Sequence, residues 1–194
     1  ETPEAIVSLL QFPYVYFGNM LSSKDGTLLD IACGNGFQTP FLKDKFKNVI
    51  SMDIDASVPG VVVGSITDIP LKSNEVEVAI SLETIEHVSE SDQRIAMMEL
   101  IRVTSKYIVI GSVDETGEDF IDGIEIYKAV NGKNPHHLHE FNRHTFVTFI
   151  EEFSEYFTDI QYYQSSHNPI TGFEMETDLQ PGRYCNYAKC TLKG

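Results

Sequence analysis

Leu28-Leu29-Asp30-Ile31-Ala32-Cys33-Gly34-Asn35-Gly36 passes from an apolar run into a turn with two glycines, and the residues after it recur at helical spacing. Glycine lets the backbone turn sharply there and approach a ligand without a Cβ in the way. Thr27 to Ile31 and Val49 to Met52 read as short strands. Between them Phe37, Phe41, Leu42 and Phe46 predict a helix starting near Gly36, with Pro40 early, where its missing N–H costs least. The segment is therefore a β-α-β unit, and it sets the reading of the rest.

Working outward, Val61-Val62-Val63, Val76 to Ser81 and Tyr107 to Ser112 supply further strands, and Ser91 to Val103 supplies a helix with Met97, Leu100 and Ile101 on one side. Continuous apolar strands alternating with helices imply a buried, mainly parallel sheet. Phe146, Phe149, Ile150 and Phe153 share the face of a later helix that Asn142 can cap. Phe157 to Gln164 and Tyr184 to Leu192 close the chain as an antiparallel pair, joined by a loop through Asn168-Pro169, Gly172 and Pro181-Gly182. The fold class expected is α/β, a Rossmann-like three-layer sandwich with a mainly parallel seven-stranded sheet and an antiparallel last strand. One domain is expected over residues 1–194. Residues 1–26 form its N-terminal helical segment, from which Tyr14, Tyr16 and Phe17 reach over the site, and residues 113–142 form a lid or substrate insertion.

Composition narrows the function. The chain has 194 residues, 42% hydrophobic, with 14 Lys+Arg against 29 Asp+Glu and a net charge of −15. That charge repels phosphate backbones and anionic lipid, and no basic patch offsets it, so nonspecific nucleic-acid binding and membrane binding are excluded as expectations. No apolar run approaches the roughly 20 residues that span a bilayer. Cys33, Cys185 and Cys190 form neither a disulfide framework nor a zinc pattern, which points to the reducing cytoplasm.

The turn at Cys33 to Gly36 lacks the third glycine of a dinucleotide fingerprint, since Thr39 stands there, and lacks the Gly-Lys-Ser/Thr of a phosphate loop. This opposes a nicotinamide-dependent oxidoreductase. An acid, Asp53, ends the second strand, where a carboxylate can accept both hydroxyls of a ribose.

Together these segments resemble the class I S-adenosylmethionine-dependent methyltransferases. The resemblance is carried by the Asp30 to Gly36 motif, by Val49 to Ile54, by Gly64-Ser65-Ile66-Thr67-Asp68-Ile69-Pro70 and by Val76 to Ser81. It implies S-adenosylmethionine as cofactor and S-adenosylhomocysteine as product. It also implies that Asp30, Cys33 and Gly34 line the methionine end, that Ala32, Asn35 and Gly36 bind the cofactor with them, and that Asp53 holds the ribose. Ile54 then packs on adenine, Ser65 and Ile66 meet the adenine edge, and Ser81 and Leu82 lie beneath the transferable methyl. Three positions depart from the family pattern: Ala32 for glycine, tolerable if its backbone stays in an ordinary region, Ser65 for aspartate, and Glu77 for aspartate.

Glu83-Thr84-Ile85-Glu86-His87 follows the fourth strand, at the edge where open α/β sheets bind ligands. On a helical turn Glu83, Glu86 and His87 would project to one side. A similar Glu-x-x-Glu-His occurs in metal-assisted methyltransferases that act on catechol-like quinone precursors and on small-RNA 3′ ends, whereas Glu-x-x-x-His is also widespread in methyltransferases without metal. His136, His137, His139 and His144 are further donors. No metal is expected in the leading reading, and Glu83, Glu86 and His87 are the ligands of the alternative. Asn134-Pro135-His136-His137-Leu138-His139-Glu140-Phe141 resembles the Asn-Pro-x-His-x-x-Glu-Phe of small-molecule and glycan-related methyltransferases, making His137 and Glu140 its equivalents; Glu140 and Asn142 could equally cap the next helix. The acidic stretch Asp114 to Asp119 reads as a solvated loop.

The leading reading is methyl transfer to a small-molecule or glycan-type acceptor, with O-methylation favoured and His87, Glu83 and His137 as catalytic candidates. The alternatives are a cofactor binder without turnover and a metal-assisted enzyme acting on a catechol-like or RNA 3′-end diol. The sequence leaves the acceptor and the oligomeric state open.

Overall fold

In the computed structural model, which describes residues 3–55, 59–114, 136–168, 172–179 and 185–194, the glycine turn sits at the carboxyl end of a central strand. The first elements are α1 (Pro3–Met20), β1 (Ser23–Ile31), α2 (Thr39–Lys43), β2 (Phe46–Asp53) and β3 (Val62–Val63). They are followed by β4 (Val76–Leu82), α3 (Glu90–Val103), β5 (Thr104–Val113), α4 (Arg143–Glu151), β6 (Phe157–Asn168), β7 (Gly172–Glu176) and β8 (Cys185–Leu192). The sheet runs β3-β2-β1-β4-β5-β8-β6-β7. From β3 to β5 every pairing is parallel; β8 runs antiparallel to both β5 and β6, and β7 runs antiparallel to β6.

Alternation along the strands builds the layers. On β4, Val78, Ile80 and Leu82 face one cluster with Tyr14, Phe17 and Leu42, while Ala79 faces the other with Met97, Leu100, Phe146 and Ile150. So α1 and α2 cover one face of the sheet and α3 and α4 the other, the central strands β1, β4 and β5 being buried on both sides along their apolar runs. Close packing leaves no room for a side chain at Gly111, where a Cβ would come within 2.4 Å of the Tyr187 ring.

The α/β three-layer architecture is as read from the sequence, with three local differences. First, the described residues form a sheet of eight strands: Gly172–Glu176, placed within a loop by its turn residues, pairs with β6 from Gln164↔Glu176 to Asn168↔Gly172. Second, the helix after the glycine turn is one short turn, and Phe46 belongs to β2, buried beside Leu42 and Phe17. The polar run Lys43-Asp44-Lys45 turns the chain back into the sheet, so Phe46 arrives on the same buried face from a strand. Phe37 is left 58% exposed. Third, Asp114 is buried, not solvated, and accepts a hydrogen bond from Asn186 Nδ2 at 2.9 Å; Asn186 in turn accepts one from Gln164 at 2.7 Å. The rest of the expected insertion, residues 115–135, lies outside the described residues. Asn142 caps α4 through a capping box with Thr145.

Candidate functional site

Strand β1 lies between β2 and β4, which leave it in opposite directions along the sheet, so a crevice opens beyond its carboxyl end. The turn over that crevice is built by alternating left-handed residues: Ala32 (φ 59°), Gly34 (φ 55°) and Gly36 (φ 71°). Ala32 thus departs from the ordinary backbone region in which its methyl would be tolerable. A non-glycine residue held there costs about 1–2 kcal/mol. The Gly34 N–H donates to Asp53 Oδ2 at 2.8 Å and the Asp55 N–H to Asp53 Oδ1 at 3.0 Å, which fixes the carboxylate beside the turn. A Cβ on Gly34 would meet nothing within 4 Å, so the backbone there borders open space. Asn35 Oδ1 accepts from the Phe37 N–H at 3.3 Å, and Ile54 stands 77% exposed just beyond Asp53.

Beneath the turn, Asp30 is fully buried and neither carboxyl oxygen has a hydrogen-bond partner of ordinary geometry. Burial pushes its pKa up to about 7, the nearby Tyr14 hydroxyl pulling the other way and the Asp53 charge adding to the rise. Burial also pushes up the Cys33 thiol, to about 11, so it remains a thiol. The Ser81 hydroxyl, one carboxyl oxygen of Glu83 and both of Glu86 are likewise buried without partners. Among the described residues only Thr104 adds to this set from elsewhere. Folded proteins rarely leave such groups unsatisfied, and their concentration along the carboxyl ends of β1 and β4 marks where a polar ligand belongs.

The segment after β3 forms the far wall. Ser65 Oγ is engaged by Thr67, through its hydroxyl at 2.8 Å and its N–H at 3.2 Å. The Ile66 side chain is buried in the core, so only its backbone is left to meet a ligand. Arg102 on α3 clamps the next residues, donating to the carbonyls of Leu71 at 2.6 Å and Ile69 at 2.8 Å, while Glu99 accepts from the Ile69 N–H at 2.8 Å. Glu77, one of the departures, bonds Ser23 and Lys106 at the opposite end of β4.

At the reacting end two distant segments meet. Ile85–His87 is a 3-10 turn, and the Glu86 carbonyl accepts from the N–H groups of Leu138 at 2.8 Å and His139 at 3.2 Å. Gln93 Nε2 ties the Ile85 carbonyl to α3 at 2.9 Å. His87 Nδ1 meets the His136 carbonyl at 3.1 Å, His137 Nδ1 meets Glu140 Oε1 at 2.8 Å, and the two rings stand 4.8 Å apart, edge to face. Glu140 therefore orients His137 instead of capping α4. Desolvation lowers the His87 pKa, His137 and His136 adding to the effect against the His136 carbonyl, so the ring is neutral near pH 7.

Glu83, at φ 54°, turns its carboxyl towards Cys185 on β8, away from the helical alignment expected of it. Burial raises both Glu83 and Glu86, and their mutual repulsion raises Glu86 further. One ligand atom each from Glu86, His87 and His137 lie within 4.8 Å of one another; His137 joins this group where the sequence pattern suggested Glu83. His139 packs on Phe141, and His144 is exposed at the start of α4. Gln38, whose Nε2 donates to the Cys33 carbonyl at 3.2 Å, and the partner Glu140 gives His137 carried no recognisable signal beyond their position in the two motifs.

A crevice at the strand-order reversal, a glycine turn bonded to a strand-end acid and orphaned polar groups along two strand ends define a doubly wound α/β fold with a polar ligand site at its switch point. Residues 29–107 match the family model described as a methyltransferase domain, a stretch that holds the glycine turn, Asp53 and the Glu83 to His87 segment. Among solved structures, the small RNA methyltransferase HEN1 is similar with a TM-score of 0.72 at 16% identity over 94% of this chain, which spans 25% of that protein's length. A protein from Thermotoga maritima described as a possible histamine N-methyltransferase has a TM-score of 0.70 at 18% identity, with 97% of this chain and 92% of that one covered. An S-adenosylmethionine-dependent methyltransferase from Archaeoglobus fulgidus gives 0.68 at 15% identity, with 95% and 94% covered. At these identities the likeness is one of fold. No curated protein matches the sequence. No helix among the described residues is long and apolar enough to cross a membrane.

Proposed function

We propose that the chain is an S-adenosylmethionine-dependent methyltransferase that acts on a hydroxyl of a small-molecule or glycan-type acceptor bound beside His87 and His137. The observation that carries the proposal is the convergence of the 85–87 turn with the 136–140 loop, which puts two oriented imidazoles beside the carboxyl end of β4. S-adenosylmethionine, when bound, supplies a sulfonium-activated methyl group. The residues fit it: Asp53 is poised to accept from the ribose, the open backbone at Gly34 admits the amino-acid moiety, and Asp30 and Ser81 offer unsatisfied polar atoms. Transfer needs the nucleophile in line with the methyl, so the chain's main task is to hold the acceptor close and oriented. With His87 Nδ1 engaged by the His136 carbonyl, Nε2 presents a lone pair that can take the acceptor's proton. A reducing, cytoplasmic setting accords with three buried, unpaired thiols. The test is label transfer from methyl-labelled S-adenosylmethionine to a panel of hydroxylated and amine acceptors. Label on an oxygen, lost in the His87→Ala variant, supports the reading; label only on amines overturns it.

A second reading is favoured by the Glu86, His87 and His137 donors. They would hold a hard or borderline divalent ion, which would chelate a catechol-like diol, with Glu140 orienting His137 as carboxylates commonly orient ligating histidines. The charge of −15 opposes an RNA 3′ end as that diol. Calorimetric titration of the protein with Mn2+ alone decides it: micromolar binding lost in Glu86→Gln supports the metal, and no heat in the parent protein removes it.

A further inference from the structure

Tyr14 sits where packing alone would be served by phenylalanine. Its neighbour on α1, Phe17, meets Tyr163 and Tyr187 edge to face with centroids 5.4 and 5.7 Å apart, in the apolar cluster on that side of the sheet. The Tyr14 ring joins this cluster, 4% exposed, but its hydroxyl is set among the polar atoms under the glycine turn, beside Asp30 and the Gln38 amide. Gln38 reaches the Cys33 carbonyl, so the turn, α1 and the end of β1 share one polar cluster.

Any charge this cluster can carry has one sign. The titratable groups facing Asp30 and Tyr14 are Asp53 at the end of β2, Cys33 in the turn and Glu83 beyond β4, all of them acids. A buried carboxyl with two unpartnered oxygens and acidic neighbours is incomplete until a cation arrives. The amino-acid end of the cofactor carries one.

We propose that Tyr14 is a positioning residue of the cofactor site, its hydroxyl holding the Asp30 carboxyl where the α-ammonium of S-adenosylmethionine docks, so that α1 and the amino-acid end of the ligand are coupled. This rests on the cofactor assignment made above and adds to it the part played by the N-terminal helix. Without ligand, Asp30 keeps its proton up to about pH 7. An ammonium group placed beside it favours the carboxylate, so binding expels that proton. Tyr14 favours the same ionised state, because its hydroxyl is set beside the carboxyl and can donate to it as it ionises.

The experiment is calorimetric titration with S-adenosylhomocysteine, and separately with adenosine, which lacks the ammonium group, in two buffers of different ionisation heat at pH 6 and pH 8. For the parent, release approaching one proton per S-adenosylhomocysteine is expected at pH 6, little at pH 8, and none with adenosine. Asp30→Asn abolishes the release. Tyr14→Phe weakens S-adenosylhomocysteine binding about tenfold, leaves adenosine binding unchanged and shifts proton release to higher pH, because the group that favours the carboxylate is gone.

The proposal is overturned if Tyr14→Phe matches the parent in affinity and proton release, or if it loses both ligands equally, as a packing defect would. Should Tyr14→Phe fail to fold, the parent decides: equal proton release with S-adenosylhomocysteine and adenosine overturns the proposal, and release with the former alone supports it. A parent that binds neither ligand would instead remove the cofactor assignment on which this rests.

Discussion

The two halves of the crevice are made in different ways. The half proposed to hold the cofactor is a run of nine residues and one acid 17 positions after its end, held by backbone N–H groups: the Gly34 amide on Asp53, the Cys33 amide on the Met52 carbonyl. The reacting half joins segments about 50 residues apart, and its side chains take their orientation from each other, His87 from the His136 carbonyl and His137 from Glu140. A site written in backbone tolerates changes of side chain that preserve the turn; a site written in side-chain pairs does not. The departures follow that division. Ala32 replaces a glycine and the turn still forms, with strain, and Glu77 serves strand pairing at the far end of β4, well away from the crevice.

The sharpest way to break this contrast is at the reacting half. His87→Ala should lower turnover by about 10²–10⁴, the range for losing a general base. Its affinity for S-adenosylhomocysteine should stay within about threefold, read by steady-state kinetics alongside calorimetry; an equal loss of binding would show that the halves are not separate. In the cofactor half, Asp53→Ala should weaken S-adenosylhomocysteine binding roughly 10- to 100-fold, the worth of hydrogen bonds to a charged acceptor. Unchanged affinity would take the ribose away from this acid.

Asp30 extends the test to stability. Its folded-state pKa of about 7 lies above the ordinary 3.8. Below about pH 4 both states hold the proton and the burial costs nothing extra. Between about 4 and 7 the unfolded chain releases the proton while the folded chain keeps it, so stability falls as pH rises, and the loss is complete above 7. Ligand-free Asp30→Asn should therefore be more stable than the parent at pH 8, by about 2–4 kcal/mol from the size of the shift, with the gap closing towards pH 4. Denaturation at the two pH values measures it, and a gap independent of pH would refute it. The smallest effect belongs to Ala32→Gly, which relieves the left-handed strain and should raise stability by about 0.5–1 kcal/mol without changing cofactor affinity, as thermal melts and calorimetry would record.

The same contrast explains what could be read before the fold was known. Turn, strand-end acid and strand alternation are local, so the meeting of Asp30, Gly34, Gly36 and Asp53 at one strand edge could be read from spacing. The helix after the turn was overread because Phe46 fits a helical period and a buried strand position alike. β7 was missed because pairing with β6, not local propensity, makes Gly172–Glu176 a strand. At the reacting end the motifs were visible but their geometry was not. The left-handed backbone of Glu83 and the 3-10 turn after it rotate one carboxyl into β8 and bring His137 from the other segment in its place. Periodicity assumes regular helix, and at such a turn it fails.

The Arg102 clamp has a consequence for ligand choice. With Ile69 and Leu71 already bonded to α3, the stretch beside Ser65 and Ile66 is stiff before any nucleoside arrives. A wall that does not mould itself selects by outline. Ring-substituted purines should then be rejected in proportion to bulk at that edge, and severing the guanidinium should broaden the range of nucleobases accepted while the preferred one binds less tightly.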